Sequence, residues 1–174
     1  TVGCSVPDWT HSSLAWTGSE FGVTWLNFFT RLSSSGEKIG DYSIVNEPYS
    51  ISWTGSEFGI AQPMSGTIQF SRISSSGAKL GEDLAVGGPG VLPSIVWTGS
   101  EFGLSWQGYD DDIYFSRISS SGSKLGFDIR VTNDANMNGR PSLSWTGSEF
   151  GVSWEDNRDG NYEIYFARIG RVCP

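Results

Sequence analysis

The chain has 174 residues and a formal net charge of -8 at pH 7, a balance that argues against nucleic acid or membrane insertion, because the first needs clustered Lys and Arg and no apolar run approaches the ~20 residues of a membrane span. With 37% hydrophobic residues it can bury one core of ordinary size, so residues 1–174 are read as a single domain. Aromatic residues at 14% and 23 glycines, without the Ala, Leu, Glu and Lys periodicity of a long helix, exclude a helical architecture and indicate an all-β chain.

The chain opens on Thr1 rather than Met, as does a chain whose leader was removed or whose end was trimmed. A short segment, residues 1–6 (TVGCSV), precedes the first of four identical heptapeptides, WTGSEFG, which begin at Trp16, Trp53, Trp97 and Trp145. Successive copies lie 37, 44 and 48 residues apart, the spacing of β-propeller blades. The repeat units begin near residues 13, 50, 94 and 142, and each parses into four short strands. In the last unit residues 142–145, 150–154 and 163–169 are predicted as strands one to three, and residues 128–133 of the preceding unit illustrate strand four. TGSE and SSG supply the turns, since Gly tolerates positive φ and Ser bonds its own backbone.

The fourth unit stops after strand three, at YFARIGRVCP, while the opening segment stands ahead of strand one of the first unit. These halves are complementary. They predict a four-bladed β-propeller with four-stranded antiparallel blades, in which residues 1–6 complete the last blade and remove the open edge. The two cysteines, Cys4 and Cys173, would then lie on neighbouring strands and form a disulfide worth about 5 kcal/mol in the chain-entropy account. Two free buried thiols are the other reading. A structural disulfide implies a secreted or cell-surface protein.

Within each unit large residues alternate with small ones, so Phe150, Val152 and Trp154 face one neighbour while Gly151 and Ser153 face the other. Trp16, Trp53, Trp97 and Trp145 are accordingly expected in the packing between blades. The repeated Glu20, Glu57, Glu101 and Glu149 are expected to pair with Arg31, Arg72, Arg117 and Arg168 across strands two and three, with Arg31 opposite Gly22. Four equivalent copies argue for structure over catalysis.

The pattern W-x-G-x-E-[FY], then aromatic-x-x-R-[IVL], then S-x-x-G-x-x-[LI]-G resembles that of bacterial secreted and surface β-propeller repeat proteins, over essentially the whole chain. The RISSSGAKLG turn is distantly similar to the Asp-box of sialidase-type propellers, with Ser where that box carries Asp. A disulfide-closed four-bladed ring is also similar in architecture to hemopexin domains. The resemblance implies a propeller and a binding role, without defining a ligand.

Function is expected on the rim that carries the variable loops, those joining strand two to three and strand four to the next strand one. Trp9, Tyr49, Tyr109 and Tyr162 could stack on a sugar or a protein partner. Asp110, Asp111, Asp112, Asp156, Arg158 and Asn161 could hydrogen-bond it. In EDNRDGNYE, Glu155, Asn157, Asp159 and Glu163 stand at alternate positions around Gly160, a spacing that could hold Ca2+ as cofactor; a solvated acidic hairpin is the competing reading. The DDD run alone reads as a solvated tip. One histidine, His11, and the lack of a nucleophile motif argue against an enzyme. The expectation is an extracellular ligand-binding module for carbohydrate or protein. Its alternatives are a self-associating subunit of a surface assembly and, further off, a glycan-processing hydrolase built on acidic loops.

Overall fold

A computed structural model of the chain describes residues 11–45, 47–133 and 136–170. Among them there is no helix, and fifteen strands form four antiparallel sheets in chain order. The first blade comprises β1 (Ser12–Trp16), β2 (Glu20–Trp25), β3 (Phe28–Ser33) and β4 (Lys38–Ile44), and the second β5 (Ser50–Trp53), β6 (Glu57–Met64), β7 (Thr67–Ser74) and β8 (Leu84–Gly87). The third holds β9 (Gly90–Trp97), β10 (Glu101–Gly108), β11 (Ile113–Ser119) and β12 (Lys124–Arg130); the fourth holds β13 (Asn138–Trp145), β14 (Glu149–Asp156) and β15 (Glu163–Gly170). The inner strands pack in sequence, β1 on β5, β5 on β9 and β9 on β13. The chain is thus an all-β, four-bladed propeller. The predicted closing strand at residues 1–6 and the Cys4–Cys173 bridge lie outside the described residues.

Each letter of WTGSEFG has a structural task. Gly18, Gly55, Gly99 and Gly147 all have φ near +100°, a value at which a side chain would be strained, and they turn strand one into strand two. The preceding Thr clamps that turn: in blade one Thr17 Oγ1 donates to the carbonyl of Glu20 and accepts its N–H, both at 3.0 Å. The Glu receives both arms of the strand-three Arg, at 2.7 and 2.8 Å for Arg31, 2.7 and 2.8 Å for Arg72, and 2.8 and 2.6 Å for Arg117. As predicted, these Arg residues stand opposite the second Gly, with pairs Gly22–Arg31, Gly59–Arg72 and Gly103–Arg117.

The Trp packs on the Phe of its own heptapeptide, with centroids 4.5 to 4.6 Å apart. That Phe then crosses to the preceding blade. Phe58, Phe102 and Phe150 are buried and sit over Gly22, Gly59 and Gly103, where a side chain would collide with the ring. They also meet Phe29, Phe70 and Phe115 of strand three at a tilt of 55 to 58°, with centroid distances of 5.1, 5.0 and 4.9 Å. Serines on the inner strands add a polar tie: the Oγ atoms of Ser13, Ser50 and Ser94 accept the backbone N–H of Ile51, Ile95 and Leu143 in the next blade at 3.0 to 3.3 Å.

Strand four departs from expectation. In blades one and three it begins at Lys38 and Lys124, directly after the Ser-Ser-Gly turn, and ends by Arg130 rather than spanning 128–133. The KIG and KLG triplets are strand, paired through Arg31–Ile39 and Arg117–Leu125. A register shift beyond these pairs absorbs the extra residues, which period-two reasoning does not anticipate.

A Cβ at Gly59 would lie 2.6 Å from the ring of Phe102 and 2.8 Å from that of Phe70, both fully buried. Gly59→Ala is therefore expected to destabilise the fold by about 1–3 kcal/mol through overpacking, read as a lowered midpoint in urea; an unchanged midpoint would mean that the ring is not seated there.

Candidate functional site

The variable rim is built by four hairpins of unequal length. Blade one turns in two residues, Leu26 and Asn27, with Trp25 paired to Phe28. Blade two also turns in two, Ser65 and Gly66, because Gln62, Pro63 and Met64 extend β6 and pair with Gln69, Ile68 and Thr67. Of the segment joining strands two and three here, only Ser65 and Gly66 are loop. Blades three and four carry the long tips, residues 109–112 and 157–162.

In blade three the aspartates divide their work. Asp112, expected as a ligand group, is fully buried. One oxygen accepts Thr132 Oγ1 at 2.6 Å and the other accepts Arg130 Nε at 2.8 Å, with Arg130 Nη2 adding to it. It is spent inside the protein, since a buried carboxylate must be paired. Asp111 takes a positive φ of 60°; its carboxylate accepts Gln107 Nε2 at 3.1 Å and its carbonyl accepts Asn138 N–H from blade four at 3.0 Å. Asp110 stays half exposed and accepts the Tyr114 hydroxyl at 2.8 Å. That bond holds its carboxyl below the usual aspartate range, against the opposing effect of burial. Tyr109 is 64% exposed.

Blade four uses the same parts. Asp156 is fully buried, accepting Trp154 Nε1 at 3.1 Å, the Arg158 N–H at 2.9 Å and Arg158 Nε at 2.7 Å. Burial alone would raise its carboxyl, but the bonds from Arg158 and Trp154 outweigh it and leave it below the ordinary value. Arg158 lies 4.2 Å above the Tyr165 ring, and the Tyr165 hydroxyl donates to Asp159, which pushes that phenol up to about 12. Asp156 and Arg158, expected at the ligand surface, thus brace the hairpin. Asn161 donates to Glu163 at 3.0 Å and Tyr162, 59% exposed, to the Met137 sulfur at 3.0 Å.

The proposed calcium quartet does not converge. Antiparallel pairing sets Glu155 against Ile164 and Asp156 against Glu163, which places Glu155 and Glu163 on opposite faces of the hairpin. Each member bonds elsewhere: Glu155 with Arg140 at 3.3 Å, Asn157 with the Met137 N–H at 3.0 Å, Asp159 with Tyr165 and Glu163 with Asn161. Among the described residues no three His, Cys, Asp or Glu side chains come together to hold a metal. An alternating-oxygen loop needs a turn that folds the ligands inward, and a β-hairpin splays them.

Tyr49 has its ring 4.2 Å from His11 and its hydroxyl 3.2 Å from His11 Nε2. Burial raises its phenol, opposed by Arg140. Trp9 falls outside the described residues.

A groove at blade three brings Tyr109 and Asp110 of the predicted set together with Trp106, Tyr114 and Asp128, which the sequence reading did not single out. It is lined by Gly88, Pro89, Trp106, Tyr109, Asp110 and Tyr114, with Asp128 at its side and a volume of about 380 Å³. Trp106 is 1% exposed, stacks on Tyr114 at 5.6 Å, and its indole N–H has no acceptor among the described residues. In blade four the equivalent Trp154 N–H is bonded to Asn138, at 3.2 Å, and to Asp156. Strand register shows that Gly90 and Gly108 stand where blade four has Asn138 and Asp156. The two carbons flanking the nitrogen lie nearest Gly90 and Gly87, since Cβ atoms there would come within 2.5 Å of Cδ1 and 3.4 Å of Cε2. The unpaired N–H therefore faces the Gly87–Gly90 segment that lines the groove. The signal was in the sequence, as GGPG at 87–90 against NDANMN at 133–138.

No family model matches the chain, and no curated protein does. Solved β-propellers do. Xyloglucan PUL GH43B from Bacteroides ovatus is 12% identical with a TM-score of 0.62, over 94% of this chain and 41% of that one. The coronin WD40 domain from Toxoplasma gondii is 8% identical with a TM-score of 0.59, over 92% and 46%. TolB from Acinetobacter baumannii is 16% identical with a TM-score of 0.58, over 90% and 40%. The chain is similar to these in fold, and it spans less than half the length of each.

Because the folded Asp156 carboxyl titrates below its ordinary value of about 4, its contribution to stability is complete above that pH and is lost as the pH falls through the folded value. Asp156→Asn is expected to lower the melting temperature at pH 7, with the difference from the unaltered chain shrinking below about pH 4. A difference that persists unchanged at pH 2 would refute the pairing.

Proposed function

We propose that the protein is a ligand-binding module that takes a carbohydrate in the blade-three groove. The observation that carries this reading is the buried, unpaired N–H of Trp106 beside a half-exposed carboxylate and an exposed tyrosine. A buried donor without an acceptor costs about 1–3 kcal/mol, and once the Gly87–Gly90 segment that covers it gives way, a bound hydroxyl or ring oxygen would supply the acceptor that Asn138 and Asp156 supply in blade four. The ring of Tyr109 offers a face for the apolar side of a sugar. Asp110, kept ionised by its bond from Tyr114, and Asp128, whose Oδ2 faces Gly88, would accept sugar hydroxyls. A few convergent polar groups set among aromatic walls is the usual make-up of such a site. Tyr162 and Asn161 of blade four would extend the same rim. An extracellular setting belongs to this reading and is supported by the cysteine pair, Cys4 and Cys173, in the sequence.

A glycan array followed by titration calorimetry tests it. Binding is expected to withstand EDTA, to weaken about tenfold in Trp106→Phe through loss of one hydrogen bond, and to weaken in Tyr109→Ala without change in the unfolding midpoint, Tyr109 being 64% exposed. Glycan binding undiminished in both variants would remove the groove from consideration, as would silence across the array.

A further inference from the structure

The first and last blades expose the two halves of a contact that the chain makes three times internally. At each internal junction a Phe from the heptapeptide of one blade lies on the second Gly of the blade before it, as Phe58 does on Gly22, Phe102 on Gly59 and Phe150 on Gly103. The matching members at the ends are Phe21 and Gly151. Phe21 is only half-buried where its counterparts are fully buried. Gly151 has the ring of its own blade's Phe166 beside it, as Gly59 has Phe70, and no ring from a following heptapeptide.

The surroundings of both ends repeat the pattern. Leu14 is 61% exposed, whereas Ile51, Ile95 and Leu143 at the same position are 6 to 9% exposed. Phe166 is 63% exposed, whereas Phe29, Phe70 and Phe115 are at most 1%. Ser142, the counterpart of the three serines that accept a neighbour's N–H, is exposed. Arg168 meets its Glu149 at a loose 3.3 Å and is 69% exposed, against 21 to 32% for the other three arginines. Among the described residues nothing comparable to the β1–β5, β5–β9 and β9–β13 packing joins β13 to β1. Over 90 to 94% of this chain aligns with 40 to 46% of three larger propellers.

We propose that a second copy of this chain docks head to tail on these ends, Phe21 of one copy lying on Gly151 of the other. A second copy is the fitting occupant because the free ring and the free glycine belong to opposite ends of the same chain. Each is of a kind already shown to fit the other, and Ser142 Oγ stands ready for the Leu14 N–H as Ser94 Oγ does for Leu143. The contact is heterologous, so two copies joined at both ends would close and copies joined at one would extend.

Sedimentation equilibrium from about 1 to 100 μM, at moderate salt because two chains of charge -8 repel, should give at least twice the single-chain mass. Phe21→Ala and Gly151→Phe should each reduce it to a single chain, the first lacking the ring and the second the place for it. Mixed in equal amounts they should form a one-to-one complex and nothing larger, since one intact ring and one intact glycine remain. Leu14→Lys repeats the test on a side chain that a lone copy leaves in water. A single-chain mass at every concentration overturns the proposal and leaves the ends to another segment of the polypeptide. Association that survives Phe21→Ala or Gly151→Phe overturns it as well, and so does a mixture that stays monomeric.

Discussion

A phenyl ring resting on a backbone that carries no side chain sets the distance between neighbouring blades. Only glycine allows the approach, and only a ring both flat enough and large enough fills the space while still packing tilted on the strand-three Phe. Once that spacing is set, the inner-strand serines reach the next blade's N–H groups. The heptapeptide Trp closes over the Phe from its own blade, and the Arg opposite the Gly finds its Glu at hydrogen-bonding distance. Four of the seven letters thus serve one junction, and the remaining three, Thr, Gly and Ser, build the turn that delivers them. A change in any one disturbs the others, which accounts for a scaffold of identical heptapeptides joined by segments that vary freely.

This arrangement also explains what could be read in the sequence. The repeat period, the four blades, the Gly–Arg opposition and the Glu–Arg pairs follow from local alternation and turn chemistry, and WTGSEFG together with the strand-three Arg exposes all of them. Strand four escaped because its register shift lies in the coordinates of two backbones, not in the alternation of one. The carboxylates escaped for a different reason. Asp110, Asp111 and Asp112 are consecutive and chemically identical, and their fates part on a single positive φ at Asp111, which turns Asp112 inward to Arg130 and leaves Asp110 at the surface. Likewise Glu155 and Glu163 match the spacing of a cation loop, yet pairing across a hairpin sends them to opposite faces. Spacing along a chain predicts convergence only when the local backbone is known.

Blades three and four are best understood as one device in two states of completion. Each has a Trp on the second strand stacked on a Tyr of the third, an acidic residue holding the Tyr hydroxyl, and a buried Asp bound to an Arg. In blade four Asn138 and Asp156 satisfy the indole internally. In blade three glycines take both places, and the same indole is left without a partner while a groove opens beside it. Packing itself calls for glycine at both places, since a Cβ at Gly90 would come within 2.5 Å of Trp106 and one at Gly108 within 2.6 Å of Tyr114, so the indole loses its two partners where its ring and that of Tyr114 seat against bare backbone.

The exposed end faces bear on where such a groove can act. In a repeat scaffold every internal junction is heterologous, so the ends of the array necessarily match each other and cannot be made polar without departing from the repeat. Arrays of this kind ordinarily carry altered terminal units with a polar outer face. Here Leu14, Trp16 and Phe166 keep the apolar character of internal positions while lying exposed. Exposed apolar surface of that sort favours further burial. None of the groove's lining residues belongs to these end faces, so a docked copy would bring a second Trp106 groove alongside the first. A multivalent sugar could then engage both, and the effective concentration of the second groove, not the strength of either alone, would govern retention.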